Sequence, residues 1–172
     1  MKLLMENWRK FLTESQDYVE MDSPLVYHRA GNVKRIALRD SLVEEPPHRS
    51  EFGFADQYSY RNPRTGRMTK KKHLEAPGTG DDTIIGFLDY HSQGTTSDGR
   101  PYWYIDYMRT RGGFGGKGVA TQLVDEFIQR YAPDPGSIVH FGKVMNPHMW
   151  HIKEKMAEKY PDHQIIGGKG FR

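Results

Sequence analysis

The sequence predicts an α+β or mixed α/β fold built around one sheet. Two strand-like runs joined by a turn lie between Thr83 and Arg109, and a helix–strand–helix succession fills Gly118 to about Tyr160. No internal repeat is visible, and 172 residues is the length of one ordinary domain. A chain of this size can bury roughly 70% of its unfolded surface, so it needs no covalent staple.

The elements follow in order. Residues 2–14 place Leu4, Trp8, Phe11 and Leu12 on one helical stripe. Leu25 to Arg29 reads as a short strand behind Ser23-Pro24. Asn32 reads as the N-cap of a helix carrying Val33, Ile36, Ala37 and Leu42, which Pro46-Pro47 forbids from continuing. Between Glu45 and Gly80 no periodicity is sustained. Proline, glycine and basic residues dominate there, around an aromatic island of Phe52, Phe54, Tyr58 and Tyr60. The expected organisation is therefore an amphipathic helix over 1–16 and a single domain over 17–172, with a long basic loop at 45–80. A loop of that length inside a compact domain is usually functional.

The second half is more regular. Thr83 to His91 predicts a strand, Gln93 to Arg100 a turn with Asp98-Gly99 at its tip, and Pro101 to Arg109 a second strand with aromatics at alternate positions. A glycine-rich turn leads into a helix from about Gly118 to Tyr131, with Val119, Leu123 and Phe127 on one face. Pro133-Asp134-Pro135-Gly136 ends it. Ile138 to Val144 predicts a strand, Asn146-Pro147 starts a helix reaching about Tyr160, and Ile165-Ile166 suggests a last short strand.

Composition narrows the function. Cysteine is absent, which excludes disulfides, thiolate metal sites and a cysteine nucleophile. Mean hydropathy is −0.79 while aromatics make up 12%, a polar but foldable balance. No apolar run is long enough to cross a bilayer and no secretory signal is visible, so the expectation is a soluble cytoplasmic protein without a membrane partner, as a monomer or a homodimer. A net charge of +3 is too small for a dedicated nucleic-acid binder. Locally, however, Arg61, Arg64, Arg67, Lys70, Lys71 and Lys72 fall together without an intervening acid.

The sharpest signal is Arg111 to Ala120, RGGFGGKGVA, between a strand and a helix. Successive backbone N–H groups and the helix dipole make such a turn an anion site. It is not a phosphate-binding loop of the Walker type, since Arg111 and Gly118 stand where glycine and Ser/Thr are required. Gly113-x-Gly115-x-x-Gly118 fits a dinucleotide fingerprint, but the strand at Ile138 to Val144 ends without the ribose-binding acid. The alternative is a glycine loop needed only for a tight turn.

From Ile105 to Tyr160 the chain resembles the acyl-CoA-binding half of the GNAT superfamily of N-acetyltransferases. Gly115-Gly116-Lys117-Gly118-Val119-Ala120 follows the family's x-x-x-Gly-x-Ala turn, with Gly115 in place of the usual Arg or Gln, and Asn146 stands at the end of the next strand. The resemblance implies a mixed, mostly antiparallel sheet with helices on both faces and splayed central strands. It implies acetyl-CoA as co-substrate and an amine acceptor, which could be a small molecule, a protein or a nucleic acid.

The resemblance also distributes roles. Gly115, Gly116, Lys117, Gly118, Val119 and Ala120 would hold the pyrophosphate, with Lys117 or Arg111 adding charge. A backbone N–H at Met108 or Arg109 would stabilise the oxyanion. Asp106 is the best-placed carboxylate for a base, with Asp89 second; Asp106 could equally be a solvent-facing strand residue. The family's usual tyrosine acid falls on Lys153, leaving Tyr160 and His151 as the nearest substitutes. Asn146 serves as a helix cap, a CoA contact or both. Tyr58, Tyr60, Lys70, Lys71 and Lys72 lie where the family's acceptor-binding loop should be. His148, His151 and Glu154 share a helix face, which reads as a polar surface rather than a metal site.

Two further expectations concern setting and alternative. Residues 2–14 resemble leader peptides of large tailed phages, and Leu12-Thr13-Glu14 the site at which phage proteases trim packaged proteins. That would place the protein in a host cytoplasm or a virion. The competing function is a non-catalytic binding protein on the same fold, contacting nucleic acid or a protein through the basic loop.

Overall fold

A computed structural model describes residues 16–23, 33–43, 57–61, 64–72, 83–142 and 147–167, with backbone alone at 57–61 and 69–72. Its strands are β1 (Gln16–Asp22), β2 (Lys34–Asp40), β3 (Gln57–Arg61), β4 (Met68–Lys72), β5 (Ile84–Thr95), β6 (Pro101–Thr110), β7 (Ile138–Phe141) and β8 (Gln164–Gly167). The helices are α1 (Val119–Tyr131) and α2 (Pro147–Lys159).

Six strands form one mixed sheet in the order β1-β2-β5-β6-β7-β8. The first four are antiparallel neighbours. β6, β7 and β8 run parallel, linked by crossovers through α1 and α2. β3 and β4 form a separate antiparallel hairpin. Among the described residues no helix is long and apolar enough to cross a membrane.

Both described helices pack on one face of the sheet. Leu123, Val124, Phe127 and Ile128 of α1 and Ile152 and Met156 of α2 meet Ile36, Leu38, Ile85, Leu88, Ile105, Met108, Val139 and Phe141. Gly86 permits the close approach of α1, since a Cβ there would sit 2.5 Å from Val119 Cγ1. The other face carries a smaller apolar cluster of Ala37, Ile84 and Phe87, with Met21 and Tyr107 beside it. The helix expected at 2–14 and the strand expected at 25–29 lie outside the described residues.

The helix expected from Asn32 is instead the strand β2. Its Ile36, Ala37 and Leu38 are all fully buried because β2 lies between β1 and β5 with both faces covered. A strand buried on both faces does not alternate, and its spacing imitated a helix. β1 fills a stretch for which the sequence suggested no element. The basic stretch expected as a loop contains the β3–β4 hairpin. The strands and helices expected after Thr83 form, with ends shifted by a few residues.

Candidate functional site

The site begins where two central strands part. β6 pairs with β7 from Tyr102↔Ile138 to Ile105↔Phe141, and the contact ends with the Gly142 N–H donating to the Ile105 carbonyl at 3.1 Å. A Cβ on Gly142 would stand 3.0 Å from that carbonyl and 3.4 Å from Tyr104 Oη, so glycine allows the last tight approach. β6 then continues to Thr110 in its ladder with β5.

A bulge lies at the parting. Tyr90 pairs with Ile105 and Asp89 with Tyr107, so Asp106 is the extra residue on β6. The extra residue reverses which backbone groups face which neighbour. Beyond it, the Arg111 N–H donates to the Ile85 carbonyl at 2.8 Å, so Tyr107, Arg109 and Arg111 direct their backbone groups toward β5. Alternation then turns the N–H of Met108 away from β5, to the β7 side of the strand and beyond the last described β6–β7 pair. Of the two expected oxyanion donors, Met108 has the required direction and Arg109 does not. The Arg109 guanidinium lies 4.5 Å over the Tyr107 ring.

The glycine turn follows directly. Gly113, Gly116 and Gly118 take left-handed φ values of 83°, 75° and 82°. The Phe114 N–H donates to the Arg111 carbonyl at 3.0 Å, which tightens the turn. Gly118 caps α1 without a side-chain bond, and the first intrahelical bond runs from the Gln122 N–H to the Gly118 carbonyl. The preceding N–H groups of Val119, Ala120 and Thr121 are therefore the donors a helix N-terminus offers an anion. Space exists for one: a Cβ built on Gly113, Gly115 or Gly116 would meet nothing within 4 Å. Lys117 is exposed, its ammonium 4.8 Å over the Phe114 ring, whereas Arg111 is buried.

The face away from the helices holds the ionisable groups. Asp106 Oδ2 lies 2.5 Å from His91 Nδ1, and their side chains are 10% and 8% exposed. Burial pushes the Asp106 carboxyl up, and the nearby Asp89 adds to that, while His91 pulls it down. Asp89 receives Arg35 in a bidentate bridge, Nε to Oδ1 at 2.6 Å and Nη2 to Oδ2 at 2.8 Å, and the Ser23 hydroxyl donates to Oδ2 at 2.8 Å. Both bridge side chains are fully buried, and the guanidinium stacks 3.8 Å over Phe87. Burial pushes the Asp89 carboxyl up against the opposing pull of Arg35 and Ser23.

Beyond Asp106 the face is aromatic. Tyr104 packs 5.3 Å from His91 and 4.8 Å from His140, and His140 Nδ1 meets the Tyr102 hydroxyl at 2.7 Å. Burial lowers the His140 pKa.

Not every expected residue joins this site. Tyr160 lies across the sheet on the helix side, where its hydroxyl donates to Asp125 at 2.6 Å and accepts from Gln129. Burial and the Asp125 bond push its phenol up. The structure therefore does not bring Tyr160 together with Asp106. His148 and His151 are exposed on α2, Glu154 accepts from the Trp150 indole at 2.7 Å, and Lys153 lies over the Trp150 ring. Asn146 lies outside the described residues. In the hairpin, Tyr58 is paired with Lys71, Tyr60 with Thr69, Ser59 with Lys70 and Gln57 with Lys72.

Sequence reasoning missed His91, Arg35 and Gly142. An isolated glycine within or just after a strand was the readable signal for Gly86 and Gly142. The His91–Asp106 contact spans a hairpin, and spacing along one chain does not announce it.

The bulge in β6, the end of its pairing with β7 and the glycine turn that opens α1 thus lie in succession along one stretch of chain. Residues 36–151 match the model of the acetyltransferase (GNAT) family, about two thirds of the chain, and the protein belongs to that family. No curated protein sequence matches it. Among solved structures it is similar to a ribosomal-protein-alanine N-acetyltransferase from Brucella melitensis biovar Abortus 2308. The identity is 12%, the TM-score 0.45, and 91% of this chain and 94% of that one are covered.

Proposed function

We propose that the protein transfers an acetyl group from acetyl-CoA to an amine. The observation that supports this reading is the succession, along one stretch of chain, of the β6 bulge that turns the Met108 N–H away from β5 and the glycine turn whose Gly118 opens α1. Gly115, Gly116, Lys117, Gly118, Val119 and Ala120 would hold the pyrophosphate through backbone N–H groups, with the Lys117 ammonium adding charge from the exposed side. The open space at Gly115 and Gly116 fits a ligand that approaches the backbone closely.

In this reading the acetyl carbonyl lies against the Met108 N–H, which would stabilise negative charge as the amine adds. Proton removal is assigned to the Asp106 carboxylate and the imidazole bonded to it, on the same bulge. Tyr58, Tyr60, Lys70, Lys71 and Lys72 are assigned to the acceptor, whose basic surroundings suit an acidic molecule. The resemblance of residues 2–14 to phage leaders supports a phage origin, with the protein in the host cytoplasm or packaged in the virion; trimming after Glu14 in purified virions would be the signature of packaging.

Calorimetry and thermal shift with acetyl-CoA, CoA and NAD test the core of the reading. At 100 times its Kd, acetyl-CoA should stabilise the fold by about 2.7 kcal/mol. A raised melting temperature with acetyl-CoA and none with NAD is expected. No response to acetyl-CoA would leave a binding protein on the same fold.

A further inference from the structure

We propose that one face of the β3–β4 hairpin, the face that carries Arg61, Lys70 and Lys72, is a docking surface for the phosphate backbone of a nucleic acid. This goes beyond the acetyl-transfer reading by naming the acidic molecule assigned to the hairpin, and it is tested without acetyl-CoA.

Positive charge is concentrated in this segment. From Gln57 to Leu74 the chain carries Arg61, Arg64, Arg67, Lys70, Lys71 and Lys72 and no acid, while the whole chain has a net charge of only +3. The remainder of the chain is therefore net acidic, and its attraction for a polyanion belongs to the hairpin.

Pairing divides these residues in a way that their order along the chain does not. In an antiparallel ladder, directly paired residues share a face and successive residues of a strand alternate between faces. Arg61 pairs with Met68, Ser59 with Lys70 and Gln57 with Lys72, so these residues lie on one face. Tyr58 pairs with Lys71 and Tyr60 with Thr69, which places both tyrosines and the middle lysine on the other. Three consecutive lysines are thus split two to one.

The face with two lysines and an arginine is the one open to a partner at its turn end. Met68, which belongs to it, is 66% exposed. The turn that follows Arg61 is exposed from Arg64 to Arg67 and adds two more cations at the end of the ribbon. Gly66 takes a left-handed φ of 66° there, and the Arg67 N–H donates to the Thr65 hydroxyl at 3.4 Å.

A polyanion with a regular repeat matches this arrangement. Lys70 and Lys72 stand roughly 6.8 Å apart by the rise of an antiparallel strand. Successive phosphates along a nucleic-acid strand are similarly spaced, whereas carboxylates on a folded protein follow no fixed repeat. Ser59 and Gln57, on the same face, are residue types that bond phosphate oxygens and base edges. A two-stranded ribbon is also narrow enough for the major groove of DNA to admit it. The tyrosine face, with its single lysine, offers a phosphate backbone much less charge.

The test uses the full chain and three single variants, Lys70→Gln, Lys71→Gln and Lys72→Gln, with melting temperature as the check on folding. Fluorescence anisotropy measures binding to a short DNA duplex, to one of its single strands and to polyglutamate. DNA binding is expected at low salt, and for the duplex log K should fall against log salt with a slope of about −4, or about 0.9 per phosphate neutralised. Lys70→Gln and Lys72→Gln should each weaken duplex binding and make that slope shallower by about 1. Lys71→Gln should leave both nearly unchanged. All three variants lose the same charge, so a difference among them reports the face and not the total.

Tighter binding of the duplex would place the ribbon in a groove, and tighter binding of the single strand would lay one strand along the face; either upholds the proposal. Equal losses in all three variants would overturn it, leaving only attraction to net charge. Absence of DNA binding at low salt would overturn it too, as would polyglutamate binding as tightly as DNA. Acetyl-CoA affinity enters none of these outcomes, so the acetyl-transfer reading stands or falls separately.

Discussion

The two faces of the central sheet are equally well buried near its middle and chemically opposite. Against α1 and α2 the sheet presents Ile36, Leu38, Ile85, Leu88, Ile105 and Phe141, and the interface is almost wholly apolar. On the other face Arg35, Asp89 and His91 are buried beside Ala37, Ile84 and Phe87. Burial therefore does not separate scaffold from site in this molecule; the kind of group buried does. The helix face fixes where the strands and the glycine turn lie. The opposite face uses that fixed frame to hold charges at set distances, at a desolvation cost that an apolar core would not incur.

If that contrast is right, the two faces should fail differently. Phe127 packs 4.9 Å from Tyr90, 5.7 Å from Tyr131 and 6.1 Å from Trp103. Phe127→Ala should cost about 3–5 kcal/mol in urea unfolding, through lost transfer energy and the cavity left behind. Asp89→Ala should cost a similar amount, about 3–5 kcal/mol, for a different reason: it leaves the buried Arg35 charge uncompensated. The double variant Arg35→Met with Asp89→Leu should regain most of that loss. A double variant as unstable as the single one would show that the bridge is scaffold after all, and the contrast would fall.

Gly86 lies on the helix face, directly under α1. The Cβ of Gly86→Ala would press on Val119 Cγ1 at 2.5 Å and on the Arg109 carbonyl at 3.2 Å. The expected loss is about 1–3 kcal/mol. Because Val119 starts α1, acetyl-CoA affinity by calorimetry should fall as well. Lost stability with unchanged affinity would separate the packing of α1 from the proposed anion site.

How much of this the sequence disclosed follows from the same contrast. β6, α1, β7 and α2 were legible because one face of each meets the helix-side core, and β5, buried on both faces, because its apolar run is bounded by turn residues. β2 was not, because burial on both faces removed alternation without such bounds and because Arg35, which looks like a solvent residue, is neutralised by a strand distant in sequence. The glycine turn and Asp106 could be singled out since both depend on local residue order. The bulge that aims the Met108 N–H, and the His91 imidazole that bonds Asp106, depend on how β5 registers with β6. Register across a hairpin is a tertiary fact that no spacing along the chain contains.

Gly118 separates turn geometry from ligand space. Its φ of 82° belongs to the left-handed region, and a Cβ there would come no closer than 4.0 Å to Gln122 Nε2. Gly118→Ala should therefore cost about 1–2 kcal/mol from backbone strain alone. Gly118→Asp places a carboxylate beside the proposed pyrophosphate site, so its acetyl-CoA affinity should fall much further than that of Gly118→Ala. Equal affinities in the two variants would remove the phosphate from this turn.

The smallest effect is expected on the outer surface of the helices, where Lys159 Nζ meets Asp125 Oδ1 at 2.6 Å with the two side chains 49% and 25% exposed. Burial pushes the Asp125 carboxyl up, but Lys159, Tyr160 and Gln129 together outweigh it and hold it below 3.8. Between that depressed value and 3.8 the folded protein binds fewer protons than the unfolded chain. The stability Asp125 contributes is thus complete above the unfolded pKa and lost as pH falls through the folded one. Lys159→Met should cost under about 1 kcal/mol near neutrality, since exposed ion pairs are weak and screened by salt. It should also flatten the acid side of the stability profile without touching the pH dependence of thiol release from acetyl-CoA. A change in that catalytic profile would tie the helix surface to the charged face, which the sheet between them otherwise keeps apart.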